Sequence, residues 1–155
     1  MEKSLSQFKW DERYLQLAKH VSTWSKDPST QVGAIAVGDK GQVLSQGYNG
    51  FPRGVKDDDR YNDKDVKYRY VVHAEMNCIY NATFHGVSLN GATLYVYGLP
   101  MCNECAKAIV QVGIVRVVSP YNGTSTPEKW KISCAHTQTL LKEVNIPYQF
   151  IKMKS

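Results

Sequence analysis

Apolar positions in the first part of the chain follow a helical spacing and then a strand-like one. From Asp11 to about Trp24, apolar residues recur every three or four positions, which predicts an amphipathic helix with Asp11 as its N-cap. Val32 to Val37 and Gln42 to Gln46 predict two strands, because the turn-forming sequence Gly38-Asp39-Lys40-Gly41 lies between them. The chain is therefore expected to open with a helix followed by a β-hairpin.

A polar stretch follows this hairpin. Residues 49 to 70 are rich in charge, as in Asp57-Asp58-Asp59-Arg60, and lack hydrophobic periodicity, which predicts an irregular loop. A loop of this length in a compact domain is usually functional or mobile. Gly33, Gly47 and Gly50 are expected at points where the backbone comes close to another part of the molecule.

Helical and strand patterns alternate through the rest of the chain, which predicts a layered α/β fold. One domain over residues 1–155 is expected, since this length suits one hydrophobic core and no repeat or Pro-, Gly- or Ser-rich linker divides it. The predicted elements are helices from about His73 to Thr83, Asn103 to Val112 and Ala135 to Glu143, and strands from Ala92 to Tyr97, Val115 to Ser119 and Tyr148 to Ile151.

Charge and hydropathy narrow the class of partner. A net charge of +5 favours anionic partners, either a nucleotide phosphate or a nucleic acid backbone. Because Lys and Arg are spread along the chain and form no basic stripe with interleaved aromatics, nucleic acid is the less favoured partner. The chain has no apolar run long enough to cross a bilayer and no secretory signal, which predicts a cytoplasmic protein whose four cysteines remain thiols.

The strongest chemical signal is the motif His73-Ala74-Glu75 followed by Pro100-Met101-Cys102-Asn103-Glu104-Cys105. One imidazole and two thiols offer three ligands for Zn²⁺, and catalytic zinc sites use three protein ligands and leave the fourth position to water. Glu75 then remains as a spare carboxylate for chemistry on that water.

The spacing within each motif restricts where the side chains can lie. Cys102 and Cys105 project to the same side of the first turn of a helix, where the helix dipole favours thiolates. His73 and Glu75 would face nearly opposite directions on a regular helix. They can converge only if His73 lies at the start of the helix, before the backbone becomes helical.

The two motifs resemble the H-x-E and P-C-x-x-C signature of the zinc deaminases. Three segments resemble blocks of the deoxycytidylate (dCMP) deaminase family, namely residues 25–34, Gly47 to Pro52 and Cys102 to Lys107, and together the blocks span roughly residues 11 to 120. That family usually has Pro directly before the first Cys, whereas Met101 intervenes here.

The resemblance implies a three-layer αβα sandwich with a mixed sheet of about five strands, and a zinc site at the N-termini of two neighbouring helices. It implies hydrolytic deamination of dCMP to dUMP and ammonia, in which Glu75 carries a proton from the zinc-activated water to the ring N3. It also implies a supply of dUMP for thymidylate synthesis, a homo-oligomer (hexamer or dimer), activation by dCTP and inhibition by dTTP. The long loop after Asn49 is the candidate region for an effector site.

The residues that contact the base and the sugar are also implied by the resemblance. Asn49 resembles the family residue that holds the sugar hydroxyl, although Asn beside Gly is equally common in turns. Ala74, through its backbone, and Glu75 resemble the residues that read the pyrimidine edge.

The 5′-phosphate of such a substrate needs cationic or amide donors. Lys26, Arg53 and Lys129 are the candidates, with Arg53 first because it follows Asn49 within a segment rich in Gly and Pro. Tyr121, just after a predicted strand, is expected either to close the pocket or to lie at the sheet edge.

Two alternatives remain open. A deaminase with this site could act on cytidine, deoxycytidine, a nucleobase or a base in a polynucleotide. The chain could instead be a silent zinc-binding module in which Cys134, His136 or His85 supplies a fourth ligand. Glu75 argues against the second alternative, because a purely structural site has no use for that carboxylate.

Overall fold

A five-stranded mixed sheet forms the centre of the molecule in the computed structural model, which describes residues 5–121 and 127–154. The strand order is β2-β1-β3-β4-β5, with β1 antiparallel to both of its neighbours and β3, β4 and β5 mutually parallel. The strands are β1 Gly33–Val37, β2 Val43–Tyr48, β3 Thr93–Tyr97, β4 Arg116–Pro120 and β5 Tyr148–Ile151. The helices are α1 Leu5–Ser22, α2 Lys64–Tyr70, α3 Ala74–Phe84, α4 Asn103–Gln111 and α5 Lys131–Glu143, with 3-10 helices at Asp59–Asn62 and Glu128–Trp130.

Helices cover both faces of this sheet, which explains why all five residues of β1 are buried. Ile35 and Val37 face one side, where they pack with residues of α1 such as Leu15. Ala34 and Ala36 face the other side and belong to the larger core with α3, α4 and α5. The predicted three-layer αβα sandwich is confirmed.

Two glycines let helices approach the hairpin closely from opposite faces. A Cβ atom on Gly33 would collide with the backbone carbonyl of Ala18 in α1, and one on Gly47 would collide with the backbone of Cys78 in α3. The predicted close approach is therefore confirmed at both positions. At Gly50 the backbone pairs with that of Val72 in an isolated β-bridge, but a Cβ atom would meet the Tyr61 hydroxyl at an ordinary distance of 3.6 Å, so a side chain is not excluded there.

The first helix begins six residues earlier than predicted, and Asp11 lies inside it as a fully buried residue and not at its N-cap. The carboxylate accepts hydrogen bonds from both terminal nitrogens of Arg116 at 2.8 and 2.5 Å and from the Tyr95 hydroxyl at 2.7 Å. Asp11 therefore ties α1 to the sheet, which the helical spacing could not reveal.

The polar stretch after Asn49 contains two short helices, so the prediction of an irregular loop is wrong for part of it. Asp58 caps the 3-10 helix by accepting a hydrogen bond from the Arg60 N–H group at 3.0 Å. Asp63 caps α2 by accepting from the N–H groups of Asp65 and Val66 at 3.1 and 3.3 Å. Capping side chains stabilise these short elements, and hydrophobic periodicity contributes little.

The remaining predicted elements are present with small changes in their ends. The largest change is in α5, which begins at Lys131 and not at Ala135. None of the four cysteines forms a disulfide, as predicted. None of the helices in the described residues combines the length and apolar character that crossing a membrane requires.

Candidate active site

Side chains from two motifs that are far apart in sequence meet at one point beside the sheet. The Nδ1 atom of His73 lies 3.4 Å from the Sγ atoms of both Cys102 and Cys105, and the three atoms all lie within 4.8 Å of one another. Ligands held at about 2.0–2.3 Å around a tetrahedral Zn²⁺ ion lie about 3.5–3.8 Å apart, so this donor set fits the ion in chemistry and spacing.

The starts of two helices position these ligands. His73 is the N-cap of α3 and Cys102 the N-cap of α4, both with extended backbone. The carbonyl oxygen of each accepts the first hydrogen bond of its helix, from Asn77 at 2.9 Å and from Ala106 at 3.0 Å. The prediction that His73 lies at the helix start, where its side chain is free to turn toward the site, is confirmed.

Met101, the departure from the family pattern, is fully buried in the core next to the site. Its N–H group donates to the Tyr148 hydroxyl at 3.2 Å, and its carbonyl oxygen accepts from the Thr137 hydroxyl at 3.0 Å. The residue between Pro100 and Cys102 therefore anchors the ligand loop to β5 and α5.

The two cysteines of the site shift each other's pKa in opposite directions. A hydrogen bond from the Cys105 thiol, assisted by His73, lowers the pKa of Cys102 to about 4, while the same bond raises the pKa of Cys105. His73 also carries a raised pKa, first because of its hydrogen bond to Cys102. A cation bound here would displace these protons, since zinc ligands bind as thiolates and neutral imidazole.

Glu75 lies in the first turn of α3 and is 4% exposed. Burial raises the pKa of its carboxyl group to about 7. Its carboxylate does not belong to the group of converging ligand atoms formed by His73 and the two cysteines. A carboxyl group that gains and loses a proton near neutral pH is suited to general acid–base chemistry.

The described residues provide no fourth side chain to close the ligand group. His85, Cys134 and His136, the alternative ligands, are absent from the set of converging donor atoms. His85 is the C-cap of α3, at the opposite end of that helix from His73. Three donors with an open position are the arrangement of a catalytic zinc site.

The ligand group opens into a cavity of about 560 Å³. Its wall comes from the loop after α1, from α2, from the starts of α3 and α4, and from the 3-10 helix before α5. The lining residues that carry the argument below are Asp27, Ser29, Asn49, Lys64, Lys67, Tyr68, His73, Ala74, Glu75, Cys102 and Lys129.

Asn49 and Ala74 both line this cavity, as the resemblance implied for substrate contacts. The amide of Asn49 already donates to the Thr30 carbonyl at 2.9 Å and to Asp27 at 3.4 Å, while its Oδ1 atom accepts from the Val32 N–H group at 2.9 Å. Only a second acceptor position on Oδ1 is left for a ligand.

Three of the predicted substrate residues are not among the described lining of the cavity. Lys26 is exposed, and Tyr121 is 62% exposed. Arg53 lies over the Phe84 ring, 4.6 Å from its centroid, and donates a hydrogen bond to Asn81. Lys129 does line the cavity.

Sequence patterns missed an ion pair in the cavity wall. The Lys67 ammonium group lies 2.8 Å from Asp27 Oδ2 and 3.0 Å from the Ser29 hydroxyl. Burial alone would raise the pKa of Asp27, but hydrogen bonds from Lys67, Ser29 and Thr30 lower it further than burial raises it. The sequence did hold one sign of this cavity wall, which is a set of residues at helical spacing. All of them line the cavity, namely Lys64, Lys67, Tyr68 and Val71.

Comparisons with known proteins bear on this site. The family model described as the cytidine and deoxycytidylate deaminase zinc-binding region matches residues 8–120. The chain is 38% identical over 146 residues to a probable deoxycytidylate deaminase of Caenorhabditis elegans, covering 92% of this chain and 70% of that protein. It is 42% identical over 115 residues to the deoxycytidylate deaminase of Mus musculus, covering 70% of this chain and 63% of that protein.

A solved structure has the same fold. The crystal structure of the dCMP deaminase from the cyanophage S-TIM5, in complex with dCMP and dUMP, has a TM-score of 0.73 at 22% identity and covers 96% of this chain and 100% of that one. Since the family model spans the helix starts that carry His73, Cys102 and Cys105, the chain belongs to the cytidine and deoxycytidylate deaminase family.

Proposed function

We propose that this protein catalyses the hydrolytic deamination of dCMP to dUMP and ammonia. The observation that carries the proposal is Glu75, a buried carboxyl group with a raised pKa, in the same cavity as the open His-Cys-Cys group. The names of relatives such as the Mus musculus deoxycytidylate deaminase support dCMP as the substrate. The cavity volume of about 560 Å³ lies within the usual range of small-molecule sites, roughly 300–1,000 Å³.

His73, Cys102 and Cys105 would hold Zn²⁺. When bound in such a site, the ion supplies a strong nucleophile by lowering the pKa of a water molecule to about 7. The two cysteines and the histidine fix the ion at the starts of α3 and α4, at the wall of the cavity.

Glu75 carries the protons of the reaction. It accepts a proton from the attacking water and donates it to N3 of the pyrimidine, so that C4 becomes tetrahedral and its amine can leave. A second proton, from the oxygen now attached to C4, passes through Glu75 to the departing amine and gives ammonia and dUMP. A pKa of about 7 suits both directions of transfer at neutral pH.

Ala74 and Asn49 orient the substrate in this proposal. The Ala74 N–H group is at the first turn of α3, where backbone donors have no partner within the helix, and it reads the pyrimidine edge together with Glu75. The Oδ1 atom of Asn49 accepts a hydrogen bond from a sugar hydroxyl. This acceptor is held in place because both amide hydrogens of Asn49 are used within the protein.

Regulation and assembly follow the family resemblance. We propose a cytoplasmic homo-oligomer that supplies dUMP for thymidylate synthesis, is activated by dCTP and is inhibited by dTTP. If dCTP leaves the dependence of rate on dCMP concentration unchanged, the regulatory part of this proposal is wrong.

Turnover of three substrates tests the proposed reaction. Zinc-loaded protein is expected to deaminate dCMP with a higher kcat/KM than deoxycytidine or a cytosine-containing oligonucleotide, as followed by the loss of cytosine absorbance. Removal of zinc with a chelator should abolish the activity, and added zinc should restore it. Equal turnover of the three substrates would favour a different cytosine-containing substrate, and no turnover of any would favour a silent zinc module.

A further inference from the structure

Three lysines line the cavity that also contains His73 and Cys102. Lys64 and Lys67 lie three residues apart on one face of α2, and Lys129 lies in the 3-10 helix before α5. Together we call these three lysines the basic side of the cavity. The basic side and the zinc ligands line the same cavity from different elements, so one ligand could contact both groups.

Lys67 is the fixed member of this group. Its side chain is 11% exposed, and Asp27 and Ser29 hold its ammonium group at 2.8 and 3.0 Å. Asp27 is itself held by hydrogen bonds from the N–H groups of Ser29 and Thr30 at 2.9 and 3.2 Å. Burying such a pair costs desolvation energy that its attraction only partly offsets, so stability alone is a weak reason for it.

Tyr68 connects Lys67 to Lys129. Both ammonium groups lie 6.0 Å from the centroid of the Tyr68 ring, and Lys129 also lies 3.3 Å from its hydroxyl group. The neighbouring carboxylate, Glu128, pairs instead with Lys131 at 2.7 Å. Lys129 therefore remains available to a ligand in the cavity.

The charge of this region matches a phosphate monoester. Three ammonium groups and the Asp27 carboxylate give a net charge of +2, because among the described residues neither Lys64 nor Lys129 has a carboxylate partner within 4.0 Å. A phosphate monoester carries a charge of about −1.5 to −2 at neutral pH. A substrate without phosphate would leave Lys64 and Lys129 without an anionic partner among the described residues.

We propose that Lys64, Lys67 and Lys129 recognise the 5′-phosphate of the substrate and make the site selective for a nucleoside monophosphate over the nucleoside. The proposal rests on the proposed function and adds the residues that set its specificity. Lys67 is held in position by Asp27 and Ser29, while Lys129 lies 3.3 Å from the Tyr68 hydroxyl group.

Binding of the product separates this proposal from the deamination proposal. Isothermal titration calorimetry of zinc-loaded protein with dUMP and with deoxyuridine measures the contribution of the phosphate without turnover. Wild-type protein is expected to bind dUMP at least about 10-fold more tightly than deoxyuridine, because charge-assisted hydrogen bonds are strong. If the zinc-loaded protein deaminates neither dCMP nor deoxycytidine, the deamination proposal fails, while this measurement still decides the phosphate proposal.

Lys129→Ala is the decisive variant, since Lys129 is exposed and its removal should not impair folding. It is expected to lower the affinity for dUMP by about 10- to 100-fold and to change that for deoxyuridine by less than about 2-fold. The ratio of kcat/KM for dCMP to that for deoxycytidine should fall by a similar factor. Lys129→Arg keeps the charge and should retain most of the preference for dUMP.

Lys131→Ala is the matched control, because Lys131 is two residues away, exposed and paired with Glu128. It should bind dUMP as the wild type does. The proposal is overturned if wild-type protein binds dUMP no more tightly than deoxyuridine. It is also overturned if Lys129→Ala binds dUMP as the wild type does, or weakens dUMP and deoxyuridine equally.

Discussion

The two sides of the cavity are built in different ways. On the metal side, His73, Glu75, Cys102 and Cys105 all lie on the first turns of α3 and α4, and those helices pack directly on the sheet. On the basic side, the lysines come from two separate short helices, and Lys67 is held by Asp27 from a third segment.

In the proposed function, the metal side carries out the chemistry and the basic side sets the selectivity for a phosphate. A change on the metal side should affect every cytosine-containing substrate, because each needs the same nucleophile and the same proton carrier. A change on the basic side should affect only substrates that carry a phosphate. The predictions below, from the largest expected effect to the smallest, follow from this contrast.

The largest effect is expected from loss of a ligand on the metal side. His73→Ala should leave two thiols that cannot complete a three-ligand site, so bound zinc should fall to a small fraction of the wild-type content and turnover of all substrates should be lost. Elemental analysis of the purified protein gives the zinc content.

Cys134→Ser is the matched control for this loss, because Cys134 lies outside the ligand group. It should keep both the zinc and the activity. If Cys134→Ser loses zinc as His73→Ala does, the site has a fourth protein ligand and the metal side is structural.

A smaller effect on turnover, with a loss of stability, is expected from Lys67→Met. The change leaves the nearly buried Asp27 carboxylate without its cation, which should lower the free energy of unfolding by about 3 kcal/mol. It should also lower the preference for dCMP over deoxycytidine. Urea unfolding and the two kcat/KM values measure these effects.

Arg116→Met provides the comparison outside the cavity lining. It breaks the pair with Asp11, which is outside the cavity lining, and should cost a similar free energy of unfolding. The preference for dCMP should stay at its wild-type value. A shift in preference as large as that of Lys67→Met would mean that general loosening of the fold, and not the basic side, sets the specificity.

The pKa of Asp27 predicts how the stability of the basic side depends on pH. Because this pKa is lowered below the ordinary aspartate value of 3.8 in the folded protein, the ionised carboxylate stabilises the fold above about pH 4 and loses that contribution as the pH falls through the folded pKa. Asp27→Asn should therefore reduce the free energy of unfolding at pH 7 and match the wild type more closely near pH 3. Asp39→Asn, in an exposed turn, should show no such change in the difference.

The smallest effects are expected from cations outside the cavity lining. Lys26→Ala and Arg53→Ala should each change kcat/KM for dCMP by less than about 3-fold, because neither side chain lines the described cavity. A loss comparable to that of Lys129→Ala would show that the predicted phosphate contacts through these residues are correct.

The metal side could be predicted from the sequence because each of its motifs is local. The C-x-x-C spacing places two thiols on one helical turn, and the H-x-E spacing requires His73 to precede its helix, as it does. The alternation of helices and strands likewise predicted a layered α/β fold, with most of the element ends close to those observed. The three layers and the mixed five-stranded sheet were implied by the family resemblance.

The basic side could not be predicted in this way, because its contacts are not local. Lys67 pairs with Asp27 from a distance of 40 positions, and α2 depends on the Asp63 cap in a stretch without apolar periodicity. The prediction of Asp11 as an N-cap is wrong because its contacts are not local either, since its partner Arg116 is 105 positions away.

The proposed proton carrier on the metal side, Glu75, provides the most direct test of the whole account. Glu75→Gln removes the titrating carboxyl group but keeps the size of the side chain. Glu104→Gln is the matched control, because Glu104 lies between the two cysteine ligands but its exposed carboxylate pairs with Lys107. With one zinc ion per chain in each protein, Glu75→Gln should lower kcat for dCMP by about 10²- to 10⁴-fold, while Glu104→Gln should remain near the wild type. Wild-type turnover by zinc-loaded Glu75→Gln would contradict the account.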